Sequence, residues 1–153
     1  MAVIKKRIDL ESYFPYLLRS ISNQIGAGSS AIMVGAYRIG MREWRIMGLM
    51  ADRGSATNKD VTDSSGMDKA SVSRAIKYLE EKKLIKQLPA SDLNRRSKPY
   101  GLTSQGIKVF NEIAAQKLVR ADELWSDLTK AEQKKLIYLL QKLKKNVNRV
   151  LND

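Results

Sequence analysis

Ser71, Ser73 and Arg74 crowd the front of one amphipathic segment, Lys69 and Lys77 lie on the same stretch, and Arg95, Arg96 and Lys98 follow about two dozen residues later. Short hydroxyls allow close approach to phosphate oxygens, a guanidinium can pair bidentately with a guanine edge, and lysine meets phosphate as a point charge. This is recognition chemistry. The chain has no histidine and no cysteine, which removes the usual general base, thiolate nucleophiles, disulfides, thiol sensing and zinc-cysteine sites. No spacing demands Ser–Lys catalysis. The expectation is a protein without catalytic residues, bound metal or cofactor.

The charge balance points the same way. Among 153 residues, 28 Lys+Arg face 16 Asp+Glu, a net charge of +12 and a pI near 10.0. Such self-repulsion is relieved by an anionic partner, nucleic acid first and an anionic membrane surface second. Two basic blocks, residues 53–98 and 129–153, flank a near-neutral stretch. A hydrophobic content of 43% argues for a folded core. No apolar run approaches ~18 residues, and no apolar core follows Lys5, Lys6 and Arg7, so a cytoplasmic protein with no membrane partner is expected.

The elements that must position these residues are legible from periodicity. Leu10, Phe14, Leu17, Leu18, Ile21 and Ile25 share one helical face, with Ser12 as N-cap and Pro15 in the first turn. Continuation is expected to about Arg38, ending at Gly40. A second helix covers about 42–51, closed by Asp52-Arg53-Gly54. Thr57 and Asp60 have capping-box spacing for a short helix ending at Gly66, and Asp68 caps a helix from Lys69 to about Lys83. Short extended runs at 84–88 and 100–102 then form a β-hairpin around a basic tip. Thr103 caps a helix to about Leu128, and the Thr129/Glu132 capping box opens a last one.

Helix, turn, helix and a basic hairpin, in that order, make a winged helix-turn-helix. The second helix would enter a major groove with Arg74 reading base edges and Lys69 and Lys77 on phosphates, while Arg95, Arg96 and Lys98 of the wing meet the adjacent minor groove.

The chain resembles the MarR family of bacterial transcriptional regulators over roughly 12–151. The carriers are Glu43-Trp44-Arg45-Ile46-Met47, Ser71-Val72-Ser73-Arg74 and Leu79-Glu80-Glu81-Lys82-Lys83-Leu84-Ile85. The strongest are Asp92-Leu93-Asn94-Arg95-Arg96-Ser97-Lys98 and Leu102-Thr103-Ser104-Gln105-Gly106. The resemblance implies a homodimer with interlocked terminal helices, palindromic double-stranded DNA as partner, and a small-molecule effector pocket. Two positions depart from the pattern: Asn94 replaces the aspartate often preceding the wing arginines, and Lys83 replaces the glycine that often ends the recognition helix. Were the left-handed geometry kept at Lys83, strain of roughly 1 kcal/mol would follow.

The expected class is therefore mainly α with a small β-hairpin wing. Residues 1–40 form an N-terminal dimerisation region, 41–102 the winged lobe, and 103–153 the C-terminal helices completing dimerisation. The apolar stripe Leu136, Leu139, Leu140, Leu143, Val147, Val150 and Leu151 is read as a dimer interface, since a monomer would expose it. Lys142, Lys144 and Lys145 are read as a solvated outer face. Tyr13, Tyr16, Tyr37 and Trp44 are core aromatics first and effector contacts second, and Arg45 is a salt-bridge residue first. The function expected is sequence-specific regulation, with a repressor released by ligand at its centre. The rivals are a non-specific architectural or RNA-binding winged helix and a basic membrane-surface protein.

Overall fold

The computed structural model describes residues 6–89 and 98–152. Its elements run α1 (Phe14–Ile32), a π-helical turn (Met33–Tyr37), α2 (Met41–Arg53), α3 (Asn58–Ser65), α4 (Lys69–Glu81), β1 (Ile85–Gln87), β2 (Tyr100–Leu102), α5 (Ser104–Leu124) and α6 (Lys130–Asn152). The chain divides into two compact units, 1–113 and 114–153.

In the first unit, the core gathers one face from each short helix. Ile46, Met47 and Met50 of α2 meet Val61 of α3 and Val72, Ile76 and Leu79 of α4, all at most 3% exposed. The spacing of three and four is what a helix with one buried stripe requires. Met33, Ile39 and Ile113 join the same cluster.

Helix boundaries follow local chemistry. Thr57 Oγ1 accepts from the Asp60 amide at 3.1 Å while Asp60 Oδ2 accepts from the Thr57 amide at 2.8 Å, a complete capping box. Thr129 and Glu132 repeat it at the start of α6. Gly54 and Gly66 close α2 and α3 with positive φ.

The first helix departs from expectation at both ends. It begins at Phe14, and the Ser12 hydroxyl turns back to Asp9 Oδ2 at 2.7 Å instead of capping. At its other end α-helical geometry stops at Ile32, and the π-helical turn carries the chain to Tyr37. Arg38 then takes a left-handed φ of 54° before Ile39 drops into the core. Helix α5 stops at Leu124, short of the expected Leu128.

The wing is an antiparallel pair with Ile85 opposite Leu102, Lys86 opposite Gly101 and Gln87 opposite Tyr100. Tyr100 also exchanges both main-chain hydrogen bonds with Ala56 at 2.9 Å, tying the wing's second strand to the segment ahead of α3. At the head of α5, the Thr103 hydroxyl donates to Lys83 O at 2.7 Å and accepts from the Gly106 amide at 3.0 Å. The Thr103 amide donates to Leu84 O, also at 3.0 Å. The helix start is so close to this turn that a Cβ at Gly106 would fall 1.9 Å from Leu84 O.

In the second unit, α6 is one unbroken helix whose apolar side is open: Leu136, Leu139, Leu140, Val147 and Val150 are 39–68% exposed. Gln133 Nε2 donates to the carbonyls of Trp125 and Leu128, satisfying main-chain acceptors beyond the end of α5.

Candidate nucleic-acid interface

Helix α4 buries Val72, Ala75, Ile76 and Leu79 and leaves the opposite side to solvent. Lys69, Ser73, Arg74 and Lys77 all stand exposed on that open side, as their i, i+4 spacing requires. Ser71 does not. It is 7% exposed, because two positions beyond Lys69 the helix has turned about 200° toward the core. Its expected place among the groups facing DNA is corrected by that burial.

What Ser71 does is local. The Asp68 carboxylate caps α4 by accepting from the Ser71 amide at 2.8 Å, and the Ser71 hydroxyl and amide together hold the Asp68 carboxyl below its ordinary value. Arg74 Nη2 in turn donates to Ser71 Oγ at 3.2 Å. Asp68, Ser71 and Arg74 thus form a chain in which the cap acid orients a hydroxyl and the hydroxyl holds the guanidinium. The sequence presents Asp68 only as a cap; the i, i+3 steps from 68 to 71 to 74 are the signal that could have found the chain.

Lys77 faces Glu81 at 3.9 Å, both strongly exposed. Such a pair contributes little and gives way readily to a phosphate. Tyr78 lies one turn beyond Arg74 on the same flank of the helix, with the Lys82 ammonium 5.7 Å from its ring centre. On the wing, Lys86 of β1 and Lys98 are exposed. Lys86 is a wing cation that the sequence pattern does not single out, since one lysine in a short strand does not stand out beside an arginine-rich turn. Arg95 and Arg96 lie outside the described residues.

The end of α4 that leads into the wing has a defined geometry of its own. Leu84 N donates to Leu79 O at 3.0 Å and Lys83 N to Glu80 O at 2.8 Å, the paired bonds of a Schellman ending. Lys83 occupies the left-handed position with φ 57°, a conformation glycine adopts without cost.

The aromatic candidates divide. Trp44 stacks on Phe110 with ring centres 4.9 Å apart and planes at 11°, packed against the core. Tyr37, half-buried on the π-helical turn, is bonded to Glu112, which together with burial pushes its phenol above the ordinary value. Both therefore meet the first half of α5. Tyr13 and Tyr16 are 44% and 47% exposed on or beside α1, and Arg45 is exposed on α2. No described contact brings these three to Tyr37 or Trp44. Among the described residues no group of acids could hold a metal ion, and no helix is long and apolar enough to cross a membrane.

Comparison with known proteins matches this geometry. Residues 39–97, which include α2 through β1, match the model of the MarR family. A MarR/EmrR family transcriptional regulator from Acinetobacter sp. ADP1 superposes with a TM-score of 0.83 at 28% identity, covering 93% of this chain and 99% of that one. The S. aureus MepR–DNA complex gives 0.75 at 23% identity, with 90% and 98% covered. Bordetella bronchiseptica BpsR, whose DNA binding is regulated by 6-hydroxynicotinic acid, gives 0.71 at 21%, with 86% and 98% covered. The winged helix-turn-helix built from α3, α4 and the β1–β2 wing is the DNA-binding fold of these transcriptional regulators, and the matched segment is similar to the MarR family.

Proposed function

We propose that the chain is a homodimeric repressor that binds palindromic operator DNA through α4 and the wing and is released by a small-molecule effector. The observation that carries the DNA contact is the open side of α4, where Lys69, Ser73, Arg74 and Lys77 stand together and Arg74 is braced by Ser71. A preoriented guanidinium suits bidentate pairing with guanine, while the lysines supply sequence-independent attraction to phosphate. Lys86 and Lys98 extend the cationic surface onto the wing.

Two observations support the dimer. On α1, Leu17, Leu18, Ile21 and Ile25 are 37–52% exposed, and α6 carries the open apolar side described above. Soluble monomers rarely leave contiguous apolar surface of that extent uncovered. Two α4 helices in a symmetric dimer would meet half-sites about 34–36 Å apart, so a small change in their separation costs affinity steeply. Effector control draws support from the BpsR relative, and Tyr37 and Trp44 beside α5 are the candidate contacts this structure favours.

Selection of bound duplexes from a random pool tests the proposal. A two-fold symmetric preferred site is expected. Arg74→Ala should relax base preference at one or two positions and Lys77→Ala should weaken all duplexes about equally. A chain that stays monomeric and prefers no duplex would overturn it.

A further inference from the structure

Because α6 is continuous from Lys130 to Asn152, its register fixes where each charge falls. At about 100° per residue, Lys130, Lys134, Lys145, Arg149, Lys142 and Lys135 occupy one arc of about 140°. The apolar side, Leu136, Leu139, Leu140 and Val147, is centred on the opposite flank. The cationic arc extends about 28 Å along the helix axis at 1.5 Å per residue. Every member is exposed. The only acid of α6 is Glu132, and it is engaged by Thr129 in the cap. No ion pair is found for these cations among the described residues, where the two salt bridges are Lys59–Asp63 and Lys77–Glu81.

A row of like charges without acids between them costs free energy unless it meets a polyanion. We propose that this arc is a second, sequence-independent nucleic-acid surface that takes the phosphate backbone of duplex DNA. The arrangement favours DNA over a lipid surface. An interfacial helix needs its apolar side to enter the bilayer with cations at its flanks. Here six of the seven cations of α6 lie opposite the apolar side, with Lys144 at its flank, so covering the latter with protein leaves a cationic ridge interrupted by the Tyr138 ring, over which the Lys135 ammonium sits at 5.8 Å. Five lysines and one arginine outnumber the Tyr138 hydroxyl and the Gln141 amide that share the arc, so point-charge attraction outweighs base discrimination.

The test uses the full chain and a random-sequence duplex, titrated at several salt concentrations. Lys134→Gln/Lys142→Gln/Lys145→Gln is compared with Arg7→Gln/Arg19→Gln/Lys108→Gln, which removes equal charge elsewhere, and each variant is checked for helicity and oligomeric state. The α6 variant is expected to bind at least about tenfold more weakly at low salt, its log–log salt slope shallower by about 0.9 for each phosphate no longer neutralised, while the site selected from a random pool stays the same. The control variant should retain the parent slope. Equal losses of affinity in both variants would reduce the effect to net charge and overturn the surface. So would an unchanged slope, or α6-dependent sedimentation with phosphatidylserine vesicles without any change in duplex binding. None of these outcomes alters the selected site, so they leave the role proposed for α4 separately decidable.

Discussion

The Tyr78 hydroxyl, on α4, donates to the main-chain carbonyl of Arg38, forty residues earlier, where the chain leaves the π-helical turn with positive φ. One side chain of the helix that carries Arg74 thereby clasps the junction between α1 and the winged lobe. The Ile39 side chain immediately beyond is fully buried, so this junction is anchored on both sides of the left-handed residue.

Tyr78→Phe keeps the ring and deletes the donor. A neutral hydrogen bond of this kind contributes about 0.5–1.5 kcal/mol. Urea unfolding should show a loss within that range, with the base preference of selected duplexes unchanged. Unaltered stability would show that water replaces the bond without penalty.

Gly106 and Gly48 make a paired test of packing. A Cβ at Gly106 meets main-chain oxygen at 1.9 Å, which only backbone movement can relieve, whereas one at Gly48, within α2, meets nothing within 4 Å. Gly106→Ala should cost about 3 kcal/mol or more and displace α5 from the Lys83–Leu84 turn. Gly48→Ala should stabilise by about 0.5–1 kcal/mol through helix propensity and a less flexible unfolded chain. Thermal unfolding of both variants checks the opposite signs.

Lys83 is strained where the family pattern has glycine. A left-handed non-glycine residue costs roughly 1–2 kcal/mol, of which the extra unfolded-state freedom of glycine returns about 0.5–1. Lys83→Gly should therefore stabilise by about 0.5–1 kcal/mol, while Lys83→Val, branched at Cβ, should destabilise. If both variants unfold at the parent midpoint, the turn carries no strain.

These positions show what is legible in the chain. The capping boxes at Thr57/Asp60 and Thr129/Glu132 and the cap at Asp68 are readable because they depend on residues three apart. The hairpin is legible from its change of period, and its pairs fall within the expected runs. The π-helical turn is not, since one extra residue per turn leaves the apolar composition of Met33–Tyr37 unchanged. Ser71 looks exposed in the sequence because its neighbours Ser73 and Arg74 are; only the rotation of α4 against the core separates them. Lys83 in the left-handed region is the case where resemblance identifies a position that propensity alone would assign to helix.

Ser71→Ala should loosen Arg74 without touching DNA. The substitution removes the acceptor of the Arg74 guanidinium and one donor to Asp68 but keeps the buried volume small. Base preference at the position proposed for Arg74 should weaken, though less than in Arg74→Ala, and the Asp68 carboxyl should titrate closer to its ordinary value. Random-duplex affinity should stay near the parent's, because the substitution leaves every cation of α4 in place. An Asp68 titration unmoved by the change would remove Ser71 from this chain of hydrogen bonds.

The pH dependence of stability follows from the caps and from Tyr37. Hydrogen bonds from Thr57, Ser71 and Thr129 lower the carboxyls of Asp60, Asp68 and Glu132 in the folded chain. A carboxyl lowered by folding adds stability that is fully present above its unfolded value, about 4, and is lost as pH falls through the folded one. The Tyr37 phenol has the opposite sign: raised by Glu112 and burial, it adds stability below its unfolded value near 10 that is lost as pH rises through the folded one. With no histidine in the chain, unfolding free energy should be nearly flat between about pH 6 and 8. Asp60→Asn, which keeps an acceptor for the Thr57 cap, should flatten the acid limb, and Tyr37→Phe the alkaline one. An acid limb that stays equally steep in Asp60→Asn/Asp68→Asn/Glu132→Gln would place the titrating groups away from the helix caps.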